Sequence, residues 1–165
     1  MKKIGLLSDT HGHWDDKFNK YFADCDEVWH AGDIGSMALA EKFEELKPFR
    51  AVYGNIDDYK TRLAYPEILN FEIENVKIMM THIGGYPGRY EPSIISKLKA
   101  GRPKLFISGH SHILKVMYDE KFGLLHMNPG AAGLYGFHKV RTLLRFVVDD
   151  GNIRDLEVIE LEKRF

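Results

Sequence analysis

Cysteine is almost missing from this chain: Cys25 is the only one in 165 residues. No disulfide can close within it, and no CxxC pair exists for a zinc or redox motif. Cys25 lies among Phe18, Tyr21 and Phe22, where it reads as a small buried hydrophobe. Long apolar runs are also missing. After Met1-Lys2-Lys3 the apolar stretch ends within a few residues at Asp9, too short for a secretory signal or a membrane span. Neither charge dominates: the net charge is −1 and the pI about 6.7. A dedicated nucleic-acid binder carries a basic surplus, so no stable nucleic-acid complex is expected. There is no internal repeat, low-complexity tract or interdomain linker. The hydrophobic share, 44%, is that of an ordinary globular protein with a real core. The expectation is one soluble, cytoplasmic domain over residues 1–165.

What is present is an alternation. Ile4 to Ser8, Glu27 to Ala31 and Phe49 to Tyr53 are short, nearly continuous apolar runs of the kind that form strands covered on both faces. Between them, Trp14, Phe18, Tyr21, Phe22 and Cys25 recur at helical spacing and predict a helix over 14–24. Leu39, Ala40, Phe43 and Leu46 predict a second helix behind an N-cap at Ser36, with Pro48 just past its end. Strand–helix–strand crossovers imply parallel neighbours, and ligands of such sheets bind beyond the carboxyl ends of the strands. Residues 56–67 read as irregular. Ile68 to Glu74 and Val76 to Thr81 read as strands joined at Glu74-Asn75, Pro92 to Ala100 as a helix, and Lys104 to Ser108 as a strand. After His112 the pattern changes to hairpins, with Asp150-Gly151 a strong turn signal, so the C-terminal strands are expected to be antiparallel.

Metal-capable side chains gather where these runs end: Asp9, His11, Asp33, Asn55, His82, His110 and His112. Nitrogen and oxygen donors without thiolate suit Mn, Fe, Zn, Co or Ni. Calcium prefers oxygen alone, and a structural zinc closes with four ligands, usually including cysteine. The set is too large for one ion. If Asp33 bridges two ions, about four of their roughly twelve coordination positions stay open for water and substrate. Two divalent ions beside two carboxylates leave a net positive site, which attracts a phosphate ester. The Gly-rich loop at 84–88 lacks the GxxxxGK[ST] pattern of a P-loop.

The pieces Asp9-Thr10-His11-Gly12, Gly32-Asp33, Gly54-Asn55-Ile56-Asp57, His82 and Gly109-His110-Ser111-His112 stand in an order that resembles the calcineurin-like metallophosphoesterases. The match spans residues 9–112, and Asn128-Pro129-Gly130 resembles a further element of the small YfcE-type phosphodiesterase branch. The resemblance implies an α/β fold, a four-layer α-β-β-α sandwich of two mixed sheets flanked by helices. Its metal site would lie at the C-terminal ends of the strands. It assigns Asp9, His11, Asp33 and His112 to a first metal and Asp33, Asn55, His82 and His110 to a second. Manganese is the expected ion, with Fe, Zn, Ni or Co as alternatives. The nucleophile it implies would be a metal-bridging hydroxide. Asp57 would orient the ligands. His30, inside a strand, reads as a buried hydrogen-bonded histidine beside them.

One position departs from that family. A histidine usually follows Gly-Asn and is taken to protonate the leaving group; here it is Ile56. Its loss removes a cation that a doubly charged monoester needs more than a diester does, so the expected substrate is a small phosphodiester, with a nucleotide among the options. Asp33, Asn55 and His13 are the candidate catalytic residues, with water or His13 to protonate the leaving group. Arg89 is the candidate phosphate contact. Tyr86, Tyr90 and Tyr135 either line a mouth for a base or pack at the rim, and His126 and His138 read as structural and surface residues. A phosphomonoesterase, or a non-catalytic scaffold like the related retromer subunit, are the alternatives. Members of the family are often oligomeric, which leaves a homo-oligomer open.

Overall fold

The computed structural model describes residues 1–163, so the last two positions of the expected domain lie outside the described residues. Strand β1 (Lys2–Leu7) is followed by helix α1 (Lys17–Phe22), β2 (Glu27–His30), helix α2 (Met37–Leu46) and β3 (Phe49–Ala51). These three strands are parallel neighbours, as the alternation predicts. Ser36 caps α2, its side-chain oxygen accepting the Leu39 N–H at 3.2 Å. Helix α1 starts later than the expected 14–24. Asp15 accepts the Lys17 N–H at 2.9 Å and holds the chain in a turn. Trp14 nevertheless packs on Phe18 and Phe43, at ring centroid distances of 5.4 and 5.2 Å. The periodicity reported burial correctly and helix extent incorrectly.

Helix α3 (Tyr59–Ala64) occupies the stretch expected to be irregular. Asp58 caps it, but Tyr59 and Leu63 are exposed, so it has no apolar face for the sequence to reveal. Strands β4 (Ile68–Ile73) and β5 (Val76–Thr81) form the expected hairpin. A small hairpin, β6 (Gly85–Tyr86) and β7 (Arg89–Tyr90), precedes helix α4 (Pro92–Gly101). Then come β8 (Leu105–Ile107), β9 (Leu114–Asp119), β10 (Leu124–Pro129), β11 (Val140–Asp149) and β12 (Asn152–Lys163). The expected antiparallel pairing holds for β9 with β10 and for β11 with β12. It does not hold for every late strand: β10 also runs parallel to β8, because it enters the second sheet between β8 and β9.

Two five-stranded mixed sheets result, ordered β12-β11-β1-β2-β3 and β4-β5-β8-β10-β9. Their inner faces bury Ile4, Leu6, Trp29, Ile78, Met80, Leu105, Ile107 and Phe146 in one core. Helices α1 and α2 cover the outer face of the first sheet through Phe18, Phe22, Leu39 and Phe43. Helix α4 covers the second through Ile94 and Leu98 against Phe106. This is the four-layer sandwich. Each fully buried large side chain contributes about 1.5–3 kcal/mol, and together they fix a frame whose strand ends share one rim.

Candidate metal centre

Five of the seven candidate ligands follow the carboxyl end of a strand: Asp9 after β1, Asp33 after β2, Asn55 after β3, His82 after β5 and His110 after β8; His11 and His112 lie two residues past Asp9 and His110. The chain turns sharply there. Asp9, His11, Asp33, His110 and His112 all adopt positive φ, between 45° and 71°. For a residue with a side chain that conformation costs on the order of 1 kcal/mol or more, which places stored strain in this rim. Backbone bonds from Asp9 N–H to the Gly32 carbonyl and from His11 N–H to the Asp33 carbonyl, both 3.0 Å, hold the first two turns together. The glycines before Asp33 and Asn55 are required by space. A Cβ on Gly32 would lie 2.7 Å from the His82 ring, and one on Gly54 2.1 Å from Asp33 Oδ1.

The side chains converge as two groups, Asp9–His11–His112 and Asp33–His82–His110, with donor atoms in each within 4.8 Å of one another. Asp33 joins them. Its Oδ2 is 3.4 Å from His11 Nε2 and 3.1 Å from His82 Nε2. Asp9 Oδ1 is 3.1 Å from His112 Nε2. Asn55 Oδ1 is 3.1 Å from His110 Nδ1, which brings it to the second group.

Surrounding atoms aim these donors. His82 donates from Nδ1 to the Ala31 carbonyl at 2.8 Å, which turns Nε2 inward. Asp9 Oδ2 accepts from the Ser8 hydroxyl at 2.7 Å and the His110 N–H at 3.2 Å, leaving Oδ1 for the centre. Asp33 Oδ1 accepts the Ile56 N–H at 3.0 Å. Asp57 is buried and accepts three backbone N–H groups: Gly35 on Oδ1 at 2.8 Å, and Ile34 and Gly54 on Oδ2 at 3.2 and 2.8 Å. It therefore ties the loop after β2 to the loop after β3. Asn128 donates to the Gly109 carbonyl and the Ser111 hydroxyl, at 3.1 and 3.0 Å, and steadies the Gly-His-Ser-His turn.

Charge follows from this crowding. Burial opposes ionisation of Asp9, but His11 and His112 outweigh it and hold the carboxyl well below the usual carboxylate range. Burial likewise opposes Asp33, and His11 and His82 override it. Asp33 in turn raises His11 to about 9. Burial works against a proton on His82, yet Asp33 and Asp9 move its pKa upward. In spite of these attractions, Asp9 Oδ1, His11 Nε2 and His82 Nε2 are buried without a hydrogen-bond partner. They sit at ion-pair distance but out of hydrogen-bond alignment. Each such atom costs about 1–3 kcal/mol, and all three belong to the same cluster. Buried, unpaired lone-pair donors of nitrogen and oxygen are what a divalent cation satisfies, so the donor set fits metal.

Two sequence candidates lie elsewhere. Burial lowers the pKa of His13, and its charged neighbours are Arg141, Asp15 and Glu162 rather than the Asp9–Asp33 group. The fully buried Arg141 donates to both carboxylates and anchors that loop. Arg89 lines a cleft with Pro87, Met117, Tyr118 and Glu120, separate from the cavities bordered by His110 and His112. Lys115, which carried no signal in the sequence beyond a strand's solvent face, lines the cavity beside His110 together with Tyr86 and His126. Tyr90 packs under α4 with Phe106 and Phe122.

Two donor groups joined by one aspartate, at the strand ends of a two-sheet α/β sandwich, form a candidate centre for two metal ions. The chain belongs to the calcineurin-like phosphoesterase superfamily, whose domain model matches residues 1–151. It is 29% identical to a phosphodiesterase of Methanocaldococcus jannaschii, over 78% of this chain and 82% of that one. Among solved structures it resembles an archaeal phosphodiesterase, at 26% identity and TM-score 0.74, covering 96% of this chain and 99% of the other. It shares the fold of Vps29 from Entamoeba histolytica, solved with zinc, at 17% identity and TM-score 0.72 over 96% and 98% of the two chains.

Proposed function

We propose that this protein is a dinuclear metal-dependent phosphodiesterase, formed by one domain over residues 1–165. The observation that carries the reading is the position of Asp33 Oδ2, within 3.4 Å of a ring nitrogen from each donor group. One carboxylate placed so can serve two ions. Asp9, His11 and His112 complete one set, and Asn55, His82 and His110 the other. Manganese is the proposed ion, with Fe, Zn, Ni or Co able to occupy the same donors. When bound, the ions supply Lewis acidity toward the phosphoryl oxygens and the attacking water.

The chain's own residues do the rest. The depressed pKa values of Asp9 and Asp33 keep both carboxylates ionised across the working pH range. Asp57 and the Thr10–His30 pair hold the turns in register. Ile56 follows Asn55 in the chain and is 44% exposed, with its N–H spent on Asp33. It offers neither proton nor charge to a leaving oxygen, which favours singly charged diesters over doubly charged monoesters. Water is the proposed source of the leaving-group proton. The phosphodiesterase relatives support the same choice of substrate. Ile56 favours a non-catalytic scaffold instead, but the two donor groups argue for the enzyme. The reducing cytoplasm is the proposed compartment, supported by the single buried cysteine. No helix among the described residues is long and apolar enough to cross a membrane.

The test is hydrolysis of bis-p-nitrophenyl phosphate and p-nitrophenyl phosphate by the purified chain, stripped and reloaded with Mn²⁺. Faster diester turnover supports the proposal. Faster monoester turnover contradicts the diester preference, and no turnover with any of the five metals contradicts the enzyme.

A further inference from the structure

Three apolar side chains stand in solvent beside the donor groups. Phe137 is fully exposed, and Tyr135 and Ile113 are 67% and 63% exposed. They border a cavity of about 650 Å³ together with His110, His112 and His138. A second cavity, about 210 Å³, also touches His110 and Ile113 and contains Tyr86, Lys115 and His126. The two share the His110–Ile113 segment as a common wall.

The loop carrying these aromatics is seated on the centre. The Tyr135 ring lies 5.0 Å from the His11 ring, tilted by 30°. The His138 ring meets the His112 ring edge-on at 5.2 Å. A Cβ on Gly136 would come within 2.2 Å of His112 Nδ1, so the backbone itself presses against that histidine. Among the described residues every other phenylalanine is buried or half-buried, and Phe137 is not. A cluster of exposed apolar side chains around a cavity marks a binding surface. Among the described residues no Lys, Arg, Asp or Glu lines this cavity, so away from the candidate ligands His110 and His112 its wall is mainly apolar and aromatic.

We propose that Tyr135 and Phe137 form a stacking platform for the ester arm that stays on phosphorus, and that this arm carries a planar aromatic ring, as in nucleotide and aryl phosphodiesters. The inference rests on the phosphodiesterase reading and adds a substrate class to it. Aromatic faces accept any base or aryl ring by stacking. The departing oxygen gains negative charge, and the ammonium of Lys115, 4.0 Å from the Tyr86 ring centroid, lies in the other cavity. The departing arm therefore belongs on the Lys115 side and the retained aromatic arm on the His112 side.

Two substrates with the same leaving group test this: thymidine 5′-(p-nitrophenyl phosphate) and methyl p-nitrophenyl phosphate. The Mn²⁺-loaded protein is expected to prefer the thymidine ester by about 10-fold in kcat/KM, the scale of one stacked base. Phe137→Ala should bring that ratio toward one, and Phe137→Trp should preserve it. Calorimetry gives a readout without turnover: thymidine 5′-phosphate should bind about 10-fold tighter than methyl phosphate, with the gap closing in Phe137→Ala. A ratio unchanged by Phe137→Ala overturns the platform while the phosphodiesterase stands. Equal losses on both esters place the p-nitrophenyl group there and overturn the retained-arm assignment. No hydrolysis of either ester by the wild type overturns the underlying reading and this inference with it.

Discussion

The Thr10 hydroxyl oxygen lies 2.9 Å from Nε2 of His30, with both side chains fully buried. The Gly32 N–H donates to His30 Nδ1 at 3.1 Å, so Nε2 carries the ring proton and donates it to Thr10. Thr10 passes its own proton to the Ile34 carbonyl at 2.9 Å. One chain of hydrogen bonds thus joins the Asp9–His11 turn to the turn that presents Asp33. Burial lowers His30 to about 3 and keeps the ring neutral in this role.

Thr10→Val keeps the side-chain shape and removes the acceptor. The stranded Nε2–H should cost about 1–3 kcal/mol in denaturant unfolding. Loss of the link between the turns should weaken Mn²⁺ binding by about 10- to 100-fold in a calorimetric titration. Unaltered affinity would show that the turns hold their positions without it.

Stability of the metal-free protein should peak near pH 6.5 and fall on both sides. Burial lowers His30 and His126, to about 3 and about 4. A lowered histidine contributes stability above its unfolded value of about 6.5, and that contribution disappears as pH falls through the folded value. For His126 it is on the order of 3 kcal/mol. His11 is raised to about 9, so its contribution is complete below about 6.5 and lost as pH climbs through about 9. Thermal melts with chelator from pH 4 to 10 check the shape. Mn²⁺ should lift the alkaline limb, because the ion replaces the proton, and His126→Phe should flatten the acid limb. An acid limb unchanged by His126→Phe removes that histidine from the account.

Much of the fold and site was legible because the alternation of short apolar runs and helical spacings is strong through β3, and because acids and histidines that follow strand ends share a rim. Helix α3 and the β6–β7 hairpin carried no comparable signal, since the helix has no apolar face and the hairpin strands are two residues each. The hydrogen bonds of Ser8, Thr10 and Asn128 escaped notice because short polar residues reveal their partners only once the turns are built. The surroundings of His13 and Arg89 were hidden for a related reason. Nearness in sequence to Asp9-Thr10-His11 or to His82 does not fix which way a loop side chain points; the buried Arg141 draws one loop away, and the β6–β7 hairpin carries Arg89 into its own cleft.

Asp57→Ala should be strongly destabilising for one residue without an ion pair. It strands three backbone N–H groups and unties the loops bearing Asp33 and Asn55. A loss of about 2–4 kcal/mol is expected from the denaturation midpoint, with Asp57→Asn losing less because one oxygen remains. A loss under about 0.5 kcal/mol, the usual range for surface changes, would contradict the tie.

Ile56→His restores a proton donor and cation at an exposed position whose backbone already contacts Asp33. The ratio of monoester to diester kcat/KM should rise by about 10-fold or more, within the usual contribution of one general acid. An unchanged ratio would remove Ile56 as the source of the diester preference.

The central claim is that Asp33 serves two ions. Counting bound Mn²⁺ per folded chain, by elemental analysis after equilibrium dialysis, tests it most directly. About two ions per wild-type chain are expected at saturation, and loss of both in Asp33→Ala, whereas Asn55→Ala should keep the ion of the Asp9–His11–His112 set. One ion in the wild type, or a folded Asp33→Ala chain that still binds two, would contradict the account.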